Sequence, residues 1–335
     1  MTDPLAPWDF VLPDACIARE AVEPRDAARL LCIGTSRADR HVRDLPSLLR
    51  AGDLLVVNDV RVRRARLMAS RASGGVVEVL LVADDRALCR PSRRLCEGEV
   101  LRVGPDASVR LLAREEDGTW RVACVPDADT VAESHGAVPL PPYFGRDATE
   151  ADARRYQTVY ARRGPFAAAA APTAGLHLTE DLLARLSAAG VELARVTLEV
   201  GLGTFKPLTE VQLARGELHE ERYELPHATW EAVAATRARG GRVVAVGTTS
   251  VRVLESAEGP GSGRTRIFLR AGARFRRVDL LLTNFHLPRS SLLMLVTAFG
   301  GHARVMDAYA HAVAAGYRFY SYGDACLVEP EHATG

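Results

Sequence analysis

The stretch Arg242-Val243-Val244-Ala245-Val246-Gly247-Thr248-Thr249-Ser250 joins an apolar run to a glycine and three hydroxyl residues. Such an apolar run predicts a buried strand, and the hydroxyl-rich turn predicts the start of a helix. A helical pattern at 229–239 precedes it, and the apolar run 278–283 follows it and leads into a helix near Ser290. Helices that alternate with apolar strands are typical of an α/β layer structure, which we predict for the second half of the chain.

A different pattern occupies the middle of the first half. Short β-rich runs recur from Val76 to Val125, and turn pairs such as Gly104-Pro105 and Asp117-Gly118 separate them. This spacing is typical of a small all-β barrel or sandwich. We therefore predict a larger α/β catalytic domain of residues 1–66 and 140–335, which carries an inserted small antiparallel β-barrel domain at residues 67–139.

The charge balance excludes a global attraction to nucleic acid or to a membrane. The 335 residues carry 43 Lys plus Arg and 42 Asp plus Glu, a formal net charge of +1, so any polyanion site must be a local patch.

The six cysteines lack a C-x-x-C pair and no H-E-x-x-H occurs, so we predict no disulfide framework and no metal. Neither a basic leader nor a membrane-spanning apolar run is present, and we expect a cytoplasmic, monomeric protein without a membrane partner.

Two loops carry candidate chemistry. The turn Gly247-Thr248-Thr249-Ser250 exposes N–H groups and hydroxyls at a helix start, which suits a carboxylate, phosphate or ribose; alternatively, Thr249 or Ser250 only caps the helix. The loop 171–177 (APTAGLH) places the hydroxyl of Thr173 and the flexible Gly175 near His177. That imidazole either serves in proton transfer or is structural.

Three further segments have weaker signals. The run 201–207 (GLGTFKP) offers the hydroxyl of Thr204 and the aromatic ring of Phe205 after a strand. Two arginine clusters, at 61–66 and at 154–163, are either sites for phosphate groups or solvated faces.

Seven segments, in an order that spans nearly the whole chain, resemble those of the S-adenosylmethionine:tRNA ribosyltransferase-isomerase family of queuosine biosynthesis. They are 54–59 (LLVVND), 139–143 (PLPPY), 156–160 (YQTVY), 171–177 (APTAGLH), 247–252 (GTTSVR), 283–288 (TNFHLP) and 317–324 (YRFYSYGD). The resemblance implies an α/β domain that carries a small β-barrel domain, in agreement with the strand pattern.

The resemblance also implies a reaction. The ribosyl carbons of S-adenosylmethionine are moved onto 7-aminomethyl-7-deazaguanine at the wobble position of a tRNA, giving epoxyqueuosine and releasing adenine and methionine. S-adenosylmethionine is then a co-substrate, without a prosthetic group, and tRNA is the partner. The sulfonium acidifies the adjacent 5′ carbon, so the site needs at least one base and one acid.

The candidate catalytic residues are His177, which we prefer for proton transfer, Glu199 and His219. The candidate substrate-binding residues are Asn58, Asp59, Arg61, Tyr156, Thr173, Gly175, Thr204, Phe205, Thr248, Thr249, Ser250, Arg252, Asn284 and His286.

The chain also departs from the family pattern. Glu199 and Gly216 stand where the family has histidines, Val60 stands where it has threonine, and Arg270-Ala271-Gly272-Ala273 replaces an aromatic-rich stretch. Two alternatives therefore stand beside the tRNA-modifying enzyme. One is a divergent relative that delivers the ribosyl carbons to a non-tRNA acceptor, and the other is an RNA-binding relative without catalysis.

Overall fold

A computed structural model describes residues 3–162, 167–168, 170–201 and 208–331. Its helices are Leu45–Leu48 (α1), Ala128–His135 (α2), Glu150–Arg155 (α3), Glu180–Ala188 (α4), Glu210–Arg215 (α5), His227–Ala238 (α6), Thr248–Ser256 (α7), Ser291–Gly300 (α8) and His302–Ala314 (α9). Its strands are Arg29–Ile33 (β1), Arg37–His41 (β2), Leu54–Asn58 (β3), Arg61–Val62 (β4), Arg66–Ser70 (β5), Val76–Ala83 (β6), Arg86–Arg90 (β7), Val100–Arg102 (β8), Ser108–Arg114 (β9), Trp120–Val125 (β10), Ala167–Ala168 (β11), Glu192–Leu198 (β12), Glu217–Leu225 (β13), Val243–Val246 (β14), Gly261–Ile267 (β15), Leu280–Asn284 (β16) and Ala325–Val328 (β17).

A large mixed sheet organises the α/β part. Within the described residues its strand order is β15-β13-β12-β3-β14-β16-β17-β1-β2. The strands β12, β3, β14 and β16 run parallel to one another, whereas β13 and β17 run antiparallel to their neighbours β12 and β16. The α/β prediction is confirmed.

The central strands are apolar because both faces of the sheet are covered, as in parallel sheets generally. In β3, Leu54 and Val56 belong to the core on one face, while Leu55 and Val57 belong to the core on the other. On the first face the sheet packs against helices that include α7, α8 and α9, and on the second against α1 and α4. Continuous apolar runs therefore identify these strands in the sequence.

The strands β5 to β10 close into an antiparallel barrel in the order β10-β7-β6-β5-β8-β9. The helix α2 packs on this barrel, since Ala128, Val131 and Ala132 belong to the barrel's core. The predicted barrel is confirmed, although β5 and β7 were not expected. The domain limits 67–139 stay a prediction.

The arginine cluster at 61–66 lies where the chain enters the barrel. Arg61 is 2.5 Å from Glu133, and Arg63 is 2.5 Å from both Asp84 and Asp129. These carboxylates belong to α2 and to barrel turns, so this cluster forms salt bridges to the barrel.

None of the helices in the described part of the chain has the length and apolarity needed to cross a membrane.

Candidate active site at the carboxyl edge of the sheet

The parallel strands β12, β3, β14 and β16 end side by side, and we call this border the carboxyl edge. Glu199 follows β12, Asn58 ends β3, Gly247 follows β14 and Asn284 ends β16. In open α/β sheets, ligands bind outside the carboxyl ends of the strands. The topology therefore brings four separate candidate segments to one place.

His177 reaches this edge from a short 3₁₀ helix, Thr173–His177, and only 4% of its surface is exposed. Its Nε2 lies 3.1 Å from Asn284 Nδ2, which also donates to the Tyr320 carbonyl at 3.1 Å. A carbonyl only accepts, so Tyr320 fixes which way the Asn284 amide faces. Tyr320 itself has a φ of 75°, a left-handed conformation that is costly for a tyrosine and recurs at functional sites.

This arrangement defines the protonation state of His177. The Asn284 Nδ2 group can only donate, so His177 Nε2 accepts and the ring proton lies on Nδ1. Burial, together with the nearby guanidinium groups of Arg318 and Arg25, lowers the pKa of His177 to about 4. The imidazole is therefore neutral at physiological pH and has an N–H to donate.

A small open cleft lies beside His177, and Arg25, Arg155, Ser321 and Tyr322 contribute to its lining. Arg25 donates to the Gln157 carbonyl at 2.7 Å, which holds its side chain in place. The cleft thus combines a neutral imidazole with two fixed cations.

The turn after β14 does not use its hydroxyls as helix caps. Gly247 precedes α7 with a φ of 85°, and no side chain caps the helix. Ser250 Oγ donates back to the Val246 carbonyl at 2.8 Å. Among the described residues, the buried Thr249 Oγ1 has no partner. The capping alternative for Thr249 and Ser250 is therefore wrong, and the N–H groups of α7 together with Thr249 remain available to a ligand.

Arg252, one turn further along α7, is 5% exposed and forms an ion pair with the buried Glu221 of β13. Glu221 also accepts from the Gly201 backbone N–H at 3.3 Å. Within the described part of the chain, Arg252 Nε and Nη2 have no hydrogen-bond partner. A buried guanidinium with free donors is a site for a carboxylate or phosphate.

Asn58 and Asp59 connect β3 to β12. The Asn58 side chain donates to the Leu198 carbonyl and accepts from the Leu198 and Val60 N–H groups. Asp59 accepts from Thr197 Oγ1 at 2.6 Å and lies 3.1 Å from Arg162 Nε. These contacts hold the two strand ends together.

Glu199 and His219 lie on neighbouring strand segments. Glu199 is partly exposed and 3.8 Å from the Arg222 guanidinium. His219 is exposed on β13. Gly216 ends α5 with a φ of 68°, and a Cβ there would lie 3.1 Å from Arg270 Nη2. Gly216 and Arg270, which both depart from the family pattern, are therefore neighbours in the fold.

The structure also shows what surrounds three other candidate residues, Gly175, Tyr156 and His286. A Cβ at Gly175 would lie 1.9 Å from the Tyr160 hydroxyl oxygen, so this position requires glycine. Tyr156 is fully buried, and burial raises its pKa to about 12. His286 Nε2 lies 3.0 Å from Thr283 Oγ1.

Thr173 begins the 3₁₀ helix, and Thr248 is buried at the start of α7. Thr204 and Phe205 lie outside the described residues. The roles of all these candidates stay predictions.

Comparisons with known proteins agree with this architecture. A family model described as queuosine biosynthesis protein matches residues 5–328. The chain belongs to this family. A relative from Anaeromyxobacter sp. is named S-adenosylmethionine:tRNA ribosyltransferase-isomerase; it is 49% identical over 97% of this chain and 99% of its own length. A relative of the same name from Gloeobacter violaceus is 50% identical over 96% of this chain and 95% of its own length.

A solved structure is also similar. It is the S-adenosylmethionine tRNA ribosyltransferase from Thermotoga maritima, which is 36% identical, with a TM-score of 0.56, over 96% of this chain and 99% of that chain. The similarity extends over both the sheet and the barrel. The resemblance found in the sequence is confirmed.

Proposed function

We propose that this protein transfers and isomerises the ribosyl group of S-adenosylmethionine onto 7-aminomethyl-7-deazaguanine in tRNA, giving epoxyqueuosine and releasing adenine and methionine. The observation that carries the proposal is the full-length relation to enzymes of that name at 49–50% identity. The tRNA in those names favours a tRNA acceptor over a small metabolite. An enzyme with this substrate is expected to act in the cytoplasm.

S-adenosylmethionine binds at the carboxyl edge in this proposal. Its carboxylate is matched by the free donors of Arg252, and its hydroxyls by Thr249 and the N–H groups at the start of α7. The Asn284 Oδ1 atom is buried without a partner among the described residues, so it offers an acceptor to a substrate hydroxyl or amine.

His177 donates a hydrogen bond from its Nδ1–H group in this site. Its Nε2 lone pair is used by Asn284, so the base that removes the 5′ proton is a different group. Glu199 is our candidate for that base, because a carboxylate is normally anionic at neutral pH and this one lies at the same edge. Once the proton is removed, adenine leaves, the nucleobase amine attacks, and methionine leaves as the epoxide closes.

The proposal is tested by following adenine release from S-adenosylmethionine with and without tRNA that carries the aminomethyl precursor. We expect release only with that tRNA. Equal release without tRNA would instead support a small-molecule acceptor, and binding of tRNA without any release would support the RNA-binding relative. His177→Ala should lower the rate about 10²- to 10⁴-fold with little effect on S-adenosylmethionine affinity.

A further inference from the structure

The outer surface of the barrel has an uneven charge distribution. The strands β8, β9 and β10 contain four arginines and no acidic residue. Arg102, Arg110 and Arg121 are all exposed and lie on adjacent strands, and we call these three the barrel arginine face. Arg114 is exposed at the end of β9. In a chain with a net charge of +1, this is a local cationic patch.

The strand register places the three side chains on a diagonal. Arg102 is opposite Ser108, two residues before Arg110 on β9. Arg110 is opposite Ala123, two residues after Arg121 on β10. Diagonal neighbours in regular antiparallel strands are about 7–8 Å apart, and a register shift between Arg121 and Val122 interrupts the second of these pairs. Three like charges therefore follow one another across the sheet at close spacing.

Apolar side chains lie between these charges. Val100 of β8, which is opposite Arg110, is 36% exposed, and Leu112 of β9 is 41% exposed. A face that presents guanidinium groups and apolar side chains together, with no acid in its strands, is suited to a ribose–phosphate backbone.

The barrel arginine face also differs from the other basic segments in its partners. Among the described residues, its three arginines form no salt bridge. Two acids in adjacent turns have other partners, because Glu99 pairs with Arg71 and Asp117 pairs with Arg86. The same turns also carry Glu97, Asp106, Glu115 and Glu116. The cluster at 61–66, by contrast, is committed to carboxylates of the barrel. The three arginines of the barrel arginine face therefore lie outside the two arginine clusters that the sequence pattern had indicated.

We propose that the barrel arginine face binds the phosphate backbone of the tRNA substrate. This inference rests on the proposed function, which supplies the tRNA. In this proposal the barrel is the part of the protein that docks the RNA. A short segment connects it to the carboxyl edge, since the chain passes from Asn58 at that edge to Arg66 in β5. The guanidinium groups bind phosphates, while base recognition belongs to the site at the sheet.

The test uses a triple variant, Arg102→Gln, Arg110→Gln and Arg121→Gln, in the full chain. Binding of fluorescein-labelled tRNA is measured by anisotropy from 50 to 200 mM KCl, and adenine release is measured with saturating precursor tRNA. The control is Arg19→Gln, Arg37→Gln and Arg185→Gln. It removes the same charge from exposed arginines that are salt-bridged to Asp14, Asp307 and Asp181.

We expect the triple variant to bind tRNA about tenfold more weakly. The slope of log affinity against log salt should become less steep by about 2 to 3, since each of three phosphate contacts contributes about 0.7–0.9. The control should bind as the unmodified protein does, and kcat at saturating tRNA should be unchanged. Unchanged affinity of the triple variant, or an equal loss in the control, would overturn the proposal. If the unmodified protein releases no adenine, the proposed function fails, while the binding measurement still decides on this face.

Discussion

Acidification should destabilise this protein through His177, because burial holds the native imidazole neutral while the unfolded chain takes up a proton. The pKa of His177 is about 4 in the folded chain against the ordinary 6.5. Its contribution to stability is therefore complete above pH 6.5, is lost as the pH falls from 6.5 to 4, and is fully lost below that. At pH 5 the loss relative to pH 7 amounts to about 2 kcal/mol in the free energy of unfolding.

The assay is urea unfolding at pH 7 and pH 5, followed by circular dichroism, for the unmodified protein, His177→Gln and the control His219→Gln. His177→Gln removes the titrating ring, so it should lose about 2 kcal/mol less than the unmodified protein between the two pH values. His219 is exposed, so its variant should behave as the unmodified protein does. An equal loss in all three proteins would refute the neutral, buried imidazole on which the proposed hydrogen-bond donor role depends.

Three further substitutions test the site. Gly175→Ala should cost about 1–3 kcal/mol by overpacking against Tyr160, and adding Tyr160→Phe should restore part of the thermal midpoint; no restoration would contradict the contact. Arg252→Met should cost about 3–5 kcal/mol because it removes the guanidinium partner of the buried carboxylate of Glu221. Adding Glu221→Gln should recover stability but not calorimetric affinity for S-adenosylmethionine, and retained affinity would remove Arg252 from the binding site. Glu199→His should change adenine release with precursor tRNA while shifting stability by no more than about 1 kcal/mol, and an unchanged rate would make Glu199 a salt-bridge residue only.

The sequence predicts the elements whose side chains are apolar throughout or alternate cleanly. The strands β14 and β16 are buried on both faces, and β10 ends at Val125, where the predicted β-rich region ends. The strand β5 (RLMAS) was missed because the alternation of apolar and polar residues is broken. Its outward-facing positions carry a charged residue, the exposed Met68 and a polar residue. Outward-facing positions of a barrel carry little periodic signal when the strand is short.

The sequence indicated separate candidate segments, but not their electrostatics. His177 and the turn at Gly247 were singled out by their loop residues and Asn284 by the family resemblance, and the fold shows that these segments lie at the carboxyl edge. Glu221 was missed because it lies in a strand rich in charged residues, and only the fold shows that it is buried against Arg252. Whether a basic cluster is free or paired depends on acids that are distant in the chain.

Mass spectrometry of the wobble nucleoside tests the central claim most directly. Precursor tRNA bearing 7-aminomethyl-7-deazaguanine is incubated with the protein and S-adenosylmethionine, digested to nucleosides and compared with a reaction that contains His177→Ala. We expect conversion of the precursor nucleoside to epoxyqueuosine by the unmodified protein and strongly slowed conversion by the variant. An unchanged precursor nucleoside, with the protein folded and S-adenosylmethionine bound, would contradict it.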